Sequence, residues 1–151
     1  MIRVQEQTFD VGHELAGFRA AHGRDGATAL FVGSVRDVSE GRDVSAMTLE
    51  HYPGMTEQAL AEIEAEAQAR WPLSASLIIH RFGRLMPGDD IVLVITAAPH
   101  REEAFAACQF LMDWLKTKAP FWKLEEGSDG PRWVDAKDSD DAAAARWKDQ
   151  P

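Results

Sequence analysis

The 151-residue sequence predicts an α+β fold, a mainly antiparallel sheet with helices packed on it. Three observations lead there. Segments of strand and of helical character follow one another roughly as β-α-β-β-α-β-β-α-β-β. Ser76 to Phe82 and Ile91 to Ala97, the second apolar almost throughout, flank the turn Met86-Pro87-Gly88-Asp89, which is the pattern of a hairpin in the sheet centre. Finally, Ala104, Cys108, Leu111 and Leu115 recur at i, i+4, i+7 and i+11, one apolar stripe at helical spacing.

Taken in order, Ile2 to Gln5 alternates weakly and is a first strand. Asp10 is an N-cap for a helix through Ala21, with Val11, Leu15 and Phe18 on one face. His22 to Gly26 is a turn. Ala27 to Val35 is a β-rich run, and Gly33 inside it predicts a bulge or a close backbone approach. Asp37 to Asp43, polar and containing Gly41, reads as a mobile loop. Val44 to Tyr52 is a strand stopped by Pro53-Gly54. The next helix runs from Met55 or Thr56 to Arg70, with Ala59, Leu60, Ile63 and Ala67 inward and Glu57, Glu62, Glu64 and Glu66 facing water. After the central hairpin comes the long helix, which ends near Thr117 or Lys118 because Pro120 lacks an N–H and turns Ala119 away from the α region. Phe121 to Glu125 and Arg132 to Ala136 flank Gly127-Ser128-Asp129-Gly130-Pro131, a second hairpin signal. The tail from Asp138 has acids for a first helical turn and then Ala142 to Ala145.

The totals restrict function. At 16.7 kDa the chain is read as one domain, residues 1–151, with enough apolar residues (45%) for a core. A formal charge of −9 argues against nucleic acid and anionic membrane as partners. A single cysteine excludes an intramolecular disulfide and a cysteine metal cluster, and Cys108 lies inside the apolar stripe as a buried thiol. The chain opens without a signal-peptide pattern and has no window of membrane-spanning length, so the expected compartment is the cytoplasm.

Against this acidic background, Trp114 to Lys123 holds three lysines and no acid. Lys116 lies on the edge row of the helix with Phe105 and Met112, and Lys123 lies beyond the Pro120 break, so the two lysines meet at a helix–strand corner. Lys118 is assigned to the solvated helix end, where the dipole favours cations. Arg36 ends an apolar strand with its planar guanidinium beside the polar loop. His100-Arg101 opens the long helix, where free N–H groups attract anions. Glu125 shares a strand face with Lys123 and is placed to orient it. His13, His22, His51 and His80 show no metal-ligand spacing and are read as structural. No phosphate-cradling glycine loop occurs, and no metal or cofactor is called for. The expected site is a cationic pocket formed by Arg36, His100, Arg101, Lys116 and Lys123, with Phe31, Met112 and Phe121 as apolar walls. It suits a small phosphorylated heterocycle or a carboxylate-bearing peptide tail.

Three runs carry a resemblance: Thr48 to Met55 (TLEHYPGM), His80 to Asp89 (HRFGRLMPGD) and Met112 to Lys123 (MDWLKTKAPFWK). They closely resemble the catalytic, large subunit family of molybdopterin synthase. The resemblance implies an α/β hammerhead fold with an added β-subdomain, and a sulfurtransferase of molybdenum cofactor biosynthesis. In that family sulfur passes from the C-terminal Gly-Gly thiocarboxylate of a small ubiquitin-like subunit to cyclic pyranopterin monophosphate, forming the dithiolene of molybdopterin. The implied assembly is a heterotetramer, a central homodimer of large subunits with a small subunit at each end.

Residue by residue, the resemblance makes Lys116 and Lys123 the essential lysines. It gives Ser34, Val35 and Arg36 as one phosphate-contacting segment, His100-Arg101 as the other, and Glu125 as the acid beside the second lysine. Two positions depart from the pattern: Ser34 stands where a basic residue occurs, and Lys137 stands where arginine is expected. The competing classes are a noncatalytic module that docks a ubiquitin-like tail and, behind it, a phosphoesterase, for which no nucleophile or metal site is visible.

Overall fold

The computed structural model describes residues 1–135 and 138–150. Its order is β1 (Ile2–Gln5), α1 (Val11–His22), β2 (Ala27–Ser34), β3 (Val38–Ser39), β4 (Arg42–Asp43), β5 (Ala46–His51), α2 (Met55–Arg70), β6 (Ala75–Arg81), β7 (Gly83–Leu85), β8 (Asp90–Ala98), α3 (Arg101–Lys118), β9 (Phe121–Gly127), β10 (Gly130–Val134) and α4 (Asp138–Ala145). The expected α+β architecture holds. The strands divide between two four-stranded sheets, β1-β6-β8-β2 and β10-β9-β5-β7, with β3-β4 as a small separate ladder. Every pairing is antiparallel except β1 with β6.

The period-2 alternation of the central hairpin decides which helices cover which face. Ile78, Val92 and Val94 join Leu60, Ile63 and Ala67 of α2 and the inner stripe of α3 in the larger core. Leu77, Ile79, Leu93 and Ile95 point the other way, onto Phe9 and Phe18 beside α1. The predicted α3 stripe is buried throughout, from Ala104 to Leu115. Phe110, fully buried, sits edge-on to Trp71 and Trp147 at 5.3 and 5.5 Å. This contact, with Ala144, fastens α4 and the tail to α3, so the predicted C-terminal helix is part of the core. Asp113 secures it further, accepting hydrogen bonds from Trp147 Nε1 at 2.7 Å and from Arg146 at 2.6 Å.

Three readings of the sequence change here. The segment 37–43 is the β3-β4 ladder turning through Glu40 and Gly41, both at positive φ. Arg42 bonds Asp129 Oδ1 at 2.5 Å and also the carbonyl of Gly130, pinning that ladder to the β9-β10 turn. Short β7 was not anticipated; it leaves the first sheet after Arg81 and pairs with β5 in the second. Glu64 does not face water, because Met1's ammonium (2.6 Å) and the Ser76 hydroxyl (2.5 Å) both bond its Oε1. Val35 is 6% exposed and packs with Met47, Leu49 and Leu85, so its side chain belongs to a small core. The bulge expected at Gly33 is present as a register shift between Gly33 and Ser34, and a Cβ there would approach Val92 Cγ1 to 2.8 Å.

Truncating the hub of the aromatic cluster tests this packing. Phe110→Ala should cost about 3–5 kcal/mol, seen in urea unfolding and as a melting temperature lower by roughly 10 °C.

Candidate functional site at the end of α3

The site begins where α3 stops. Ala119 is extended (φ −73°, ψ 130°), and the Phe121 N–H bonds back to its carbonyl at 2.9 Å, so the chain passes from helix to strand within three residues. The α3 stripe holds the helix on the first sheet, while β9 is stitched into the second. Directly opposed residues of an antiparallel pair share a face. By register, Leu49 and Val134 lie opposite Lys123, Met47 and Arg132 opposite Glu125, and His51 opposite Phe121. These side chains all lie on the inner face of the second sheet.

Between that face and the end of α3 is a cavity of about 230 Å³. Lys116, Lys123, Met112 and Phe121 line it, as the sequence led us to expect. Lys118 does not: its ammonium lies 4.3 Å above the Trp114 ring and 4.0 Å from Glu66. Lys116 is exposed and makes no side-chain hydrogen bond or ion pair among the described residues. Phe31, 41% exposed on β2, is not a wall of this cavity. Glu125 is buried at 4% exposure and is ion-paired with Arg132 across the strand pair, 3.7 Å away. Ser34 Oγ donates to Asp90 Oδ1 at 2.8 Å. Lys137, the position where arginine was expected, lies outside the described residues.

The two segments expected to contact phosphate are split. Arg36 follows β2, whose Ser34 and Gly33 pair with Asp90 and Val92, and Val92 lines the cavity. Arg36 is therefore at the cavity's end of the first sheet. His100 and Arg101 are at the other end: Lys116 lies fifteen helical positions after Arg101, about 22 Å along the axis. The five cations expected to converge therefore do not meet within one chain, because a helix of 18 residues cannot bring its own two ends together. Acids in the first turn, Glu102 and Glu103, offset the charge at that N-terminus.

Sequence reasoning missed His80. It is 5% exposed, lies face to face with Phe121 (centroids 3.8 Å apart, 17° between planes) and lines the cavity with the two lysines. Its Nδ1 is 2.8 Å from the Arg81 carbonyl, which can only accept, so Nδ1 carries the proton. Burial pulls the imidazole down to about 4, the Arg81 hydrogen bond opposes that pull, and the charges of Lys116 and His51 add to it. His80 is thus neutral at physiological pH. The available signal was its place in Leu77-Ile78-Ile79-His80, a lone polar residue in phase with Ile78 on the α3 side of a buried strand. Asp135 and Asp140 also line the cavity. Cys108, by contrast, is buried and its thiol pushed up to about 11 by desolvation, as expected of a structural residue.

A larger cavity of about 360 Å³ lies beside α1, but its charged Arg3 and Glu14 are paired with each other, so volume alone does not mark it as the site.

Comparison with known proteins gives a consistent result. The family model described as MoaE protein matches residues 4–118. The chain is 58% identical over 146 residues to the molybdopterin synthase catalytic subunit of Ralstonia nicotianae, covering 97% of this chain and 83% of that protein. It is 56% identical over 148 residues to the protein of the same name from Pseudomonas aeruginosa, covering 98% and 99%. The solved molybdopterin biosynthesis MoaE protein from Burkholderia ambifaria superposes with a TM-score of 0.83 at 57% identity, covering 98% of this chain and 97% of that one.

The buried neutral histidine has a measurable consequence. Its pKa is lower in the folded chain than in the unfolded one, so the unfolded state binds the extra proton first as pH falls. This contribution is complete above about pH 6.5 and is lost as pH drops toward 4. Stability should fall by roughly 2–3 kcal/mol over that window from this group. The decrement should be absent in His80→Gln when both proteins are followed by urea unfolding at each pH.

Proposed function

Since this chain belongs to the MoaE protein family, we infer that it is the catalytic subunit of a molybdopterin synthase, a sulfurtransferase of molybdenum cofactor biosynthesis. Its substrate is cyclic pyranopterin monophosphate, and its sulfur source is the C-terminal Gly-Gly thiocarboxylate of a small ubiquitin-like partner. The observation that carries this reading is the cavity that Lys116 and Lys123 share beside Phe121 and Met112. It combines cations with flat apolar surface, which a pterin and a thiocarboxylate tail both require. No helix among the described residues is long and apolar enough to cross a membrane, and a cytoplasmic location suits the reaction.

The chemistry is electrostatic at its base. Tail and phosphorylated pterin are both anionic, and their approach is repulsive unless fixed cations stand where charge accumulates. Lys116, at the tip of a helix anchored by its buried stripe, lies against the thiocarboxylate as sulfur attacks the pterin side-chain carbon. Lys123, held on β9, supplies a proton or retains the intermediate between the two sulfur transfers. The inner-face carboxylate of Glu125, with Arg132, sets the field around that strand.

Arg36 takes the phosphate from the cavity's own chain. His100 and Arg101 are about 22 Å from Lys116, so they serve the phosphate of a second copy's site in the homodimer. Ser34 acts only by fixing the backbone beside Arg36, through its bond to Asp90.

Lys116→Ala and Lys123→Ala should each slow single-turnover dithiolene formation, followed by product mass, by roughly 100-fold or more while the partner still binds. Near-normal conversion by Lys116→Ala would refute the assignment and leave a noncatalytic docking module. In mixed dimers of one Lys116→Ala chain and one Arg101→Ala chain, one of the two composite sites is intact, so activity should be about half that of the wild-type dimer, while each single-variant homodimer is far less active. Recovery of none would place Arg101 in its own chain's chemistry, and a fully active Arg101→Ala homodimer would leave it no part in the reaction.

A further inference from the structure

His80 has no part in the roles above, yet it is the polar group most deeply set in the cavity wall. Its ring is fixed on two sides: Phe121 stacks on one face, and Nδ1–H is committed to the Arg81 carbonyl. The remaining edge carries the bare Nε2, which has no hydrogen-bond partner among the described residues and is not among the sealed, unsatisfied polar atoms. An acceptor that is neither paired nor sealed, on a residue lining the cavity, opens into that cavity. Across the same space, Lys116 extends from α3 with no carboxylate partner among the described residues. One group can only accept and the other can only donate.

We propose that Nε2 of His80 is the anchor point for the Lys116 ammonium, making His80 a positioning residue for sulfur transfer. In the loaded cavity, Lys116 gives one N–H to Nε2 and turns its other two toward the thiocarboxylate. An exposed lysine alone samples many rotamers, and a neutral acceptor restricts them without cancelling the charge the reaction uses. A carboxylate in this place would hold the lysine more tightly but would neutralise it and repel the incoming tail. The other charged and titratable groups facing the pair are Lys123 from β9, His51 from β5, Asp135 after β10 and Asp140 on α4. This inference rests on the sulfur-transfer reading only for its kinetic consequence.

The test is nuclear magnetic resonance on the protein bound to its partner carrying an ordinary Gly-Gly carboxylate, so that no turnover is needed. Imidazole nitrogen shifts of the wild type should show His80 as the Nδ1–H tautomer from pH 5 to 8. An Nε2–H tautomer or an imidazolium there would overturn the proposal. An anchored ammonium is an ordered one, so His80→Phe should lower the Lys116 Nζ order parameter from nitrogen relaxation well below its wild-type value. It should also slow single-turnover conversion about tenfold with partner affinity unchanged. His80→Gln, whose amide oxygen reaches the Nε2 position, should restore most of both. A Lys116 ammonium as ordered in His80→Phe as in the wild type overturns the anchor. If that variant does not fold, the wild-type tautomer and the ordering of Lys116 in His80→Gln decide the question. Absence of dithiolene product from the wild type would sink the sulfur-transfer reading instead, leaving the ordering of Lys116 as the measure of the anchor.

Discussion

The site depends on one backbone constraint, the abrupt end of α3 at Ala119-Pro120. A proline without an N–H cannot continue the helix, and the residue before it is driven to extended geometry. Six residues after Lys116 the chain is already a strand of a different sheet. The two lysines are therefore held by different rigid elements, and their spacing is set by how α3 and the second sheet pack. Fixed cations of this kind need no reorganisation when charge develops, which is where most electrostatic catalysis comes from. Had the helix continued through residue 123, Lys116 and Lys123 would share one helix face two turns apart, a solvated stripe without a cavity.

The rest of the fold serves to keep those two elements in place. Aromatic contacts among Trp71, Phe110 and Trp147 tie α2, α3 and the C-terminal segment into one block, and Asp113 locks the segment's end through Arg146 and Trp147. On the other side, Arg42 fastens the β3-β4 ladder to the β9-β10 turn. The cavity lies between these two blocks. Its wall carries the Phe121–His80 stack, with His51 next in line 4.3 Å from Phe82. Flat, stacked, uncharged surface beside two ammonium groups suits a heterocycle whose charge sits at one end.

Much of this was legible in the amino-acid order. The α3 stripe, the central hairpin, the Gly33 bulge and the proline break each follow from local periodicity or from one residue's covalent geometry. Met112 and Phe121 as walls followed from their phase relative to the lysines. The failures share a cause, the absence of three-dimensional distance from a linear reading. His100 and Arg101 look adjacent to the other cations only until the helix between them is measured. Val35 sits beside Arg36 in sequence but on the opposite side of the chain, where it fills the small core with Leu49 and Leu85. Arg42 looked like one charge in a polar loop because its partners, Asp129 and Gly130, are far away in sequence. His80 was hidden for the opposite reason: a buried histidine in an apolar strand is usually structural, and only the cavity reveals which of its edges is unoccupied.

The central claim is that one pterin-sized cavity takes charge from Lys116 and Lys123 of one chain, with phosphate ligands arriving from Arg36 and from a second copy. A crystal structure of the protein with cyclic pyranopterin monophosphate measures this directly. The account predicts the pterin against Phe121 and Met112, with both lysine ammonium groups within hydrogen-bond reach of the ligand. Its phosphate should lie between Arg36 and the His100-Arg101 pair of the neighbouring subunit. A pterin bound elsewhere, or bound here with either ammonium directed into bulk water, would contradict it.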